Sequence, residues 1–177
     1  MTVKEGEITG IRPVREEDLA VIETIEKACF PGDPWSYRVL FDASVHPGTV
    51  FLVARRRAQP VPGTTEDRKD TEDASAIAGY IVLTTVAGEG SIDNICVEPA
   101  YRGQGIARAL IEEAMRLAYE QHDASEYTLE VRISNTAARM LYEALGFENE
   151  GIRPRYYTGP AEDAVIYRKK ELKEDVS

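Results

Sequence analysis

Asn94-Ile95-Cys96-Val97-Glu98-Pro99-Ala100-Tyr101-Arg102-Gly103-Gln104-Gly105-Ile106-Ala107 reads as a β-branched strand that stops at a proline, followed by a basic, glycine-rich turn that opens into an amphipathic helix. Such a turn leaves backbone N–H groups unpaired at the helix start, where the helix dipole adds partial positive charge. Glycine at 103 and 105 removes the side chains that would hold a ligand away from those amides. Together these features make a socket for a diphosphate. The order Arg102-Gly103-Gln104-Gly105-Ile106-Ala107 is not a P-loop, which ends in Gly-Lys-Ser/Thr, and it lacks the spacing of the dinucleotide fingerprint.

On either side of this turn the chain alternates strands and helices. Ile8 to Val14 reads as a strand, and Arg15-Glu16-Glu17-Asp18 starts a helix with acids in its first turn. Leu19, Ile22 and Ile25 continue it at helical spacing until Pro31-Gly32-Asp33-Pro34 ends it. A short helix over Trp35–Phe41 follows, with Ser36 a suitable N-cap. Val50–Arg55 and Ile77–Thr85 are strand-like. The Pro-, Thr- and acid-rich segment 56–75 between them is expected to be a mobile loop. Gly90–Val97 is a strand, and Gly105–His122 is the main helix, with Ile106, Ala109, Leu110, Ala114, Leu117 and Ala118 as its buried stripe. Tyr127–Arg132, a helix over Thr136–Leu145 capped by Gly146, and strands Phe147–Tyr157 and Asp163–Lys170 complete the order. The expected fold class is α/β, a mixed central sheet flanked by helices in the order β-α-α-β-β-β-α-β-α-β-β, with residues 1–177 as a single domain.

Hydrophobic content of 43% with 29% charged residues is that of a globular protein, and 177 residues suffice for a substantial core. A net charge of −10 argues against sequence-independent binding to nucleic acid, which relies on Lys and Arg at phosphates. Two His and two unspaced Cys, Cys29 and Cys96, are too few for a metal cluster or a disulfide framework, so no metal is expected. There is no signal-peptide core and no apolar run of membrane-spanning length. The expectation is therefore a cytoplasmic protein with no membrane partner.

The turn Arg102–Ala107 resembles the R/Q-x-x-G-x-G/A pyrophosphate turn of the GNAT superfamily of N-acetyltransferases, which bind acetyl-CoA. Leu129-Glu130-Val131-Arg132-Ile133-Ser134-Asn135, Ala138–Phe147 and Arg155-Tyr156-Tyr157 are narrower signals. They resemble the branch that acetylates protein N-termini, including ribosomal-protein alanine acetyltransferases. The resemblance implies the GNAT acyl-CoA N-acyltransferase fold, with acetyl-CoA as co-substrate and a protein N-terminus as acceptor. A ribosome or an auxiliary subunit is a further partner it suggests. It implies that Ile95, Cys96 and Val97 line the acetyl-pantetheine arm, with the Val97 amide polarising the thioester carbonyl. Arg102, Gly103, Gln104, Gly105, Ile106, Ala107 and Arg108 would hold the pyrophosphate. Asn135 would either bond the coenzyme or cap the next helix.

Acetyl transfer needs a neutral amine, a polarised thioester, a protonated leaving thiol and fixed geometry. By the same resemblance Glu130 is the base, facing a cleft opposite Leu129 and Val131, or else a surface carboxylate paired with Arg132. Tyr142 is the acid that protonates the thiolate, or a core tyrosine. Tyr156 and Tyr157 clamp the peptide, or pack in a strand, and Trp35 contacts the substrate or anchors its loop. The activity implied is direct transfer in a ternary complex. Transfer to lysine or a small-molecule amine, and a non-catalytic acetyl-CoA-binding subunit, stay open beside it.

Overall fold

The computed structural model describes residues 8–57 and 75–171. Seven strands form one sheet: β1 (Ile8–Pro13), β2 (Thr49–Arg57), β3 (Ser75–Val86), β4 (Glu89–Val97), β5 (Glu126–Arg132), β6 (Glu148–Thr158) and β7 (Ala161–Lys170). The helices are α1 (Leu19–Cys29), α2 (Tyr37–Val45), α3 (Ile106–His122) and α4 (Thr136–Ala144). Across the sheet the strands lie in the order β1-β2-β3-β4-β5-β7-β6. All neighbours are antiparallel except β4 and β5. This is the element order expected from the sequence.

Each face of the sheet carries its own core. On one face Leu52, Ile81, Leu83, Leu129, Val131 and Val165 pack against α3 and α4. On the other, Phe51, Val53, Tyr80, Val82 and Cys96 pack against Leu19, Ile22 and Ile25 of α1 and Leu40 of α2. The alternation of β5, with Tyr127, Leu129 and Val131 buried and Thr128, Glu130 and Arg132 half-buried, follows from this two-sided covering.

Four local expectations need correction. Residues 16–18 form a 3-10 turn rather than the start of the α-helix, because Asp18 is committed elsewhere. Its carboxylate accepts from the Arg15 backbone at 2.7 Å and from the Arg12 guanidinium at 2.7 and 2.9 Å. The second helix begins at Tyr37, with Ser36 accepting from the Val39 amide at 3.4 Å. The buried stripe of α3 runs through Ile111 and Met115 as well as Ile106, Leu110, Ala114 and Ala118, while Ala109 and Leu117 are only half-buried. β2 and β3 extend past their expected ends, to Arg57 opposite Ser75. The expected mobile loop thus shrinks to 58–74, which lies outside the described residues.

Tyr127 ties β5 to α3. Its one hydroxyl hydrogen is shared between the Met115 and Ala124 carbonyls, both at 2.9 Å, and burial pushes its phenol up to about 12. A phenol whose folded value exceeds its unfolded value of about 10 stabilises fully below pH ~10 and loses that contribution as pH rises toward 12. Tyr127→Phe should cost about 1–3 kcal/mol in denaturant melts at neutral pH. It should also flatten the fall in melting temperature between about pH 10 and 12.

Candidate active site

β4 and β5 are hydrogen-bond partners over only three residue pairs, Glu89–Glu126, Gly90–Tyr127 and Ser91–Thr128. Beyond Ser91 and Thr128 the two parallel strands separate. β4 keeps its bonds to β3 as far as Val97, with an extra residue at Asp93, and β5 keeps its bonds to β7 as far as Arg132. The gap opens at the carboxyl ends of parallel strands, where α/β sheets place their ligands.

The β4 side of the gap presents unpaired donors. The Glu98 amide donates to the Ala78 carbonyl of β3 at 2.9 Å, so by strand alternation the Val97 amide points away from β3, toward the gap. Ile95 and Val97 lean on the α3 face, whereas Cys96 is buried on the α1 face. The turn after β4 holds Gly103 at φ +76° and Gly105 at φ +80°, the left-handed region that glycine enters freely. No side chain caps α3, and the first bond at its start runs from the Ala109 amide to the Gly105 carbonyl at 3.0 Å. Among the described residues, the amides from Gly103 through Gln104, Gly105, Ile106 and Ala107 to Arg108 have no protein acceptor.

Two side chains of this turn are committed to the protein. Arg102 donates through Nε to the Val97 carbonyl at 3.0 Å and through Nη2 to Cys29 Sγ at 3.7 Å. It braces the turn against β4 and α1, so the backbone, more than this guanidinium, faces outward. Arg108 pairs with Glu112 one turn along α3.

The β5 side carries the titratable groups. Glu130 projects opposite Leu129 and Val131, as expected, and pairs with Arg153 of β6 at 3.3 Å rather than with Arg132. Arg132 instead binds Glu162 at 3.2 Å and the Gly159 and Pro160 carbonyls, with its guanidinium 4.2 Å from the Tyr157 ring centre. Tyr142 is buried, not at a polar boundary, and packs against Phe147 and Tyr167 with ring centres 5.9 and 6.1 Å away. Burial, with Tyr157 nearby, raises its phenol well above the ordinary range. Tyr157 is half-buried, and burial together with Tyr156 pushes it up to about 12; Glu130 also acts on it. Tyr157 therefore lies within electrostatic reach of both Glu130 and Tyr142. Tyr156 is exposed, 5.0 Å from Tyr157 and beneath Arg153.

Asn135 caps α4, its Oδ1 accepting from the Ala138 amide at 3.2 Å. Trp35 is half-buried against the α1 core. Its loop crosses to the β6–β7 turn, where a Cβ on Gly32 would stand 2.0 Å from the Gly159 carbonyl oxygen. The loop after α1 and the β6–β7 turn thus meet backbone to backbone. Sequence reasoning missed Glu26, which lies fully buried at the base of this loop; its signal was a carboxylate four residues after Ile22 on the buried stripe of α1. Among the described residues no group of three or more His, Cys, Asp or Glu could hold a metal, and no helix is long and apolar enough to cross a membrane.

A parted sheet with unpaired turn amides on one lip and a carboxylate–tyrosine group on the other is the arrangement expected of an acyl-CoA-dependent N-acyltransferase. The chain belongs to the Acetyltransferase (GNAT) family, whose profile matches residues 21–147. It is 32% identical over 161 residues to a Bacillus subtilis (strain 168) protein that is named, provisionally, a ribosomal protein bS18–alanine N-acetyltransferase; the match covers 89% of this chain and 92% of that one. With the Escherichia coli (strain K12) enzyme named for the same activity it shares 41% identity over 92 residues, 51% of this chain and 62% of the relative. The crystal structure of the Escherichia coli ribosomal-protein-S18-alanine N-acetyltransferase superposes with a TM-score of 0.71 at 28% identity, covering 95% of this chain and 97% of that one. Arabidopsis thaliana NAA60 in complex with acetyl-CoA, at 20% identity and a TM-score of 0.74, shares the fold.

A Cβ at Gly105 would meet nothing within 4 Å, so bulk there projects outward rather than into the core. Gly105→Val should melt only slightly below wild type, since one left-handed non-glycine residue costs about 1–2 kcal/mol. Calorimetric titration with acetyl-CoA should nevertheless register a large loss of affinity.

Proposed function

We propose that this protein transfers the acetyl group of acetyl-CoA to the α-amino group of a protein N-terminus. The observation that carries the reading is the parting of β4 from β5 between the uncapped start of α3 and the Glu130–Tyr157–Tyr142 group. In this reading the pyrophosphate lies on the amides of residues 103–108. Arg102 braces their turn, and the pantetheine arm takes the place in the sheet that β5 vacates beside Ile95, Cys96 and Val97. The acetyl carbonyl accepts from the Val97 amide, which stabilises the oxyanion. Asn135 uses only Oδ1 in its cap, so its amide hydrogens are available to the coenzyme.

Chemistry begins when the amine nitrogen attacks the thioester carbon. The C–N bond forms, the C–S bond breaks, the amine proton passes to Glu130, directly or through a water, and the thiolate takes a proton from Tyr142. An α-amine with a pKa near 8 is about one-tenth neutral at pH 7, so a carboxylate suffices as base, whereas a lysine is neutral well under 1% of the time. Burial makes Tyr142 a weaker acid than free phenol, but the same desolvation raises a thiol beside it and narrows the mismatch. Glu130 projects from the α1 face of β5 and Tyr142 from the α4 core, so base and acid flank the gap. This suits direct attack; Cys96 is buried, with its thiol pushed up, and offers no nucleophile for an acetyl-enzyme.

Trp35, Tyr156 and Tyr157 are assigned to the acceptor peptide, because they line the two segments that meet at Gly32 and Gly159. The names of the Bacillus subtilis and Escherichia coli relatives favour a ribosomal protein as that peptide's source, and with it an encounter at the ribosome.

Two measurements test the reading. A peptide with a blocked α-amine and a free lysine should turn over far more slowly than its unblocked twin; equal rates would favour lysine or a small amine instead. Steady-state rates against pH should separate the proton roles. Glu130→Gln should lose most at low pH and recover partly as pH passes the amine's pKa near 8. Tyr142→Phe, which keeps the ring packing, should lower kcat by about 10²–10⁴-fold with acetyl-CoA affinity and melting temperature near wild type.

A further inference from the structure

Glu26 is a fully buried carboxylate on α1 that the chemistry above does not use. Its Oε2 accepts from the Trp35 backbone amide at 2.8 Å, and its Oε1 accepts from Asn94 Nδ2 of β4 at 2.5 Å. Among the described residues no lysine or arginine pairs with it, and Asp33 lies near enough to oppose its charge. A buried carboxylate held by two neutral donors and no cation is a poor contributor to stability. An apolar side chain at this point of the α1 stripe would serve the core better.

What the carboxylate does is join two parts of the proposed site. Asn94 belongs to the stretch of β4 that has parted from β5, one residue before Ile95. Trp35 ends the loop that begins after Cys29 and reaches the β6–β7 turn at Gly32. The loop is thus held from one side by the Gly159 backbone and from the other by Glu26, and neighbouring Glu23 takes the Tyr37 amide at 3.1 Å. We propose that Glu26 is a positioning residue that fixes the Trp35 loop to β4, and so sets the distance between the acceptor peptide and the thioester. The inference rests on the functional reading above for its meaning in catalysis, but the tether itself can be read without turnover.

Trp35 is the only tryptophan in the chain, so its fluorescence reports this loop alone. Glu26→Ala removes both bonds, and Asn94→Ala cuts only the β4 end and serves if the first variant fails to fold. Glu26→Gln can keep both bonds, accepting from Trp35 and donating to an Asn94 amide turned over. Both alanine variants should show greater quenching of Trp35 by acrylamide. They should also lose kcat/KM for peptide, mainly through a lowered kcat, by up to about 100-fold, the size expected for a displacement near 1 Å. Acetyl-CoA affinity should hold, and Glu26→Gln should restore quenching and kcat. Unchanged quenching in Asn94→Ala and in any folded Glu26→Ala overturns the tether. A Glu26→Gln variant as impaired as Glu26→Ala overturns positioning in favour of the charge. Absence of peptide turnover in the wild type would instead overturn the functional reading, and the quenching comparison would still decide the tether.

Discussion

Three hydrogen-bonded pairs join β4 to β5, and then the strands part. A sheet interior that gives up its ladder leaves donors and acceptors facing one another across a gap, a state a folded chain tolerates only where another polar partner can enter. The rest of the molecule is arranged around that parting. β3 holds β4 up to Val97 and β7 holds β5 along all seven of its residues, so each lip is rigid although the lips do not touch. Helix α3 follows β4 after the turn at residues 98–105, and the amides at its start have no protein acceptor among the described residues.

The two lips carry opposite chemical characters. On the β4 side the unpaired amides of the turn and of the start of α3 are backbone donors, fixed by strand and helix geometry and indifferent to pH. On the β5 side the groups are titratable, and their neighbours constrain them: Arg153 holds Glu130, and burial raises the Tyr142 and Tyr157 phenols above their ordinary range. In the proposed reaction, an electrophile settled against the first lip and a nucleophile against the second would meet between preorganised dipoles, where little reorganisation is needed as charge develops.

Much of this was legible in the residues. Alternating β-branched runs and apolar spacing in the helices foretold the element order, and Gly103 and Gly105 foretold a left-handed turn with unpaired amides, because each is a local signal with a local cause. Glu130 could be assigned to the cleft from strand alternation alone. Tyr142 was harder. Helical spacing does not tell whether a tyrosine at the rim of a stripe is covered, and only Phe147 and Tyr167, from other elements, decide it. The exchange of expected partners, Arg153 for Arg132 at Glu130, depends on the offset of β6 against β7, which changes across residues 153–157 and has no local signature. Glu26 escaped for a similar reason: its partners lie nine and 68 residues away.

The position of β7 has a consequence for how the molecule comes into being. Although it is the last strand in chain order, it lies inside the sheet between β5 and β6, and β5 has no other full-length neighbour. A chain emerging from the ribosome can complete β1 to β4, α3 and the glycine turn between them before residues 161–170 exist. Until then β5 is a strand with one edge bare and the other attached at three residues, and Glu130 and Tyr157 have no common frame. The β4 half of the cleft can therefore be assembled early, while the half that carries Glu130 and Tyr157 waits for the closing strand to insert.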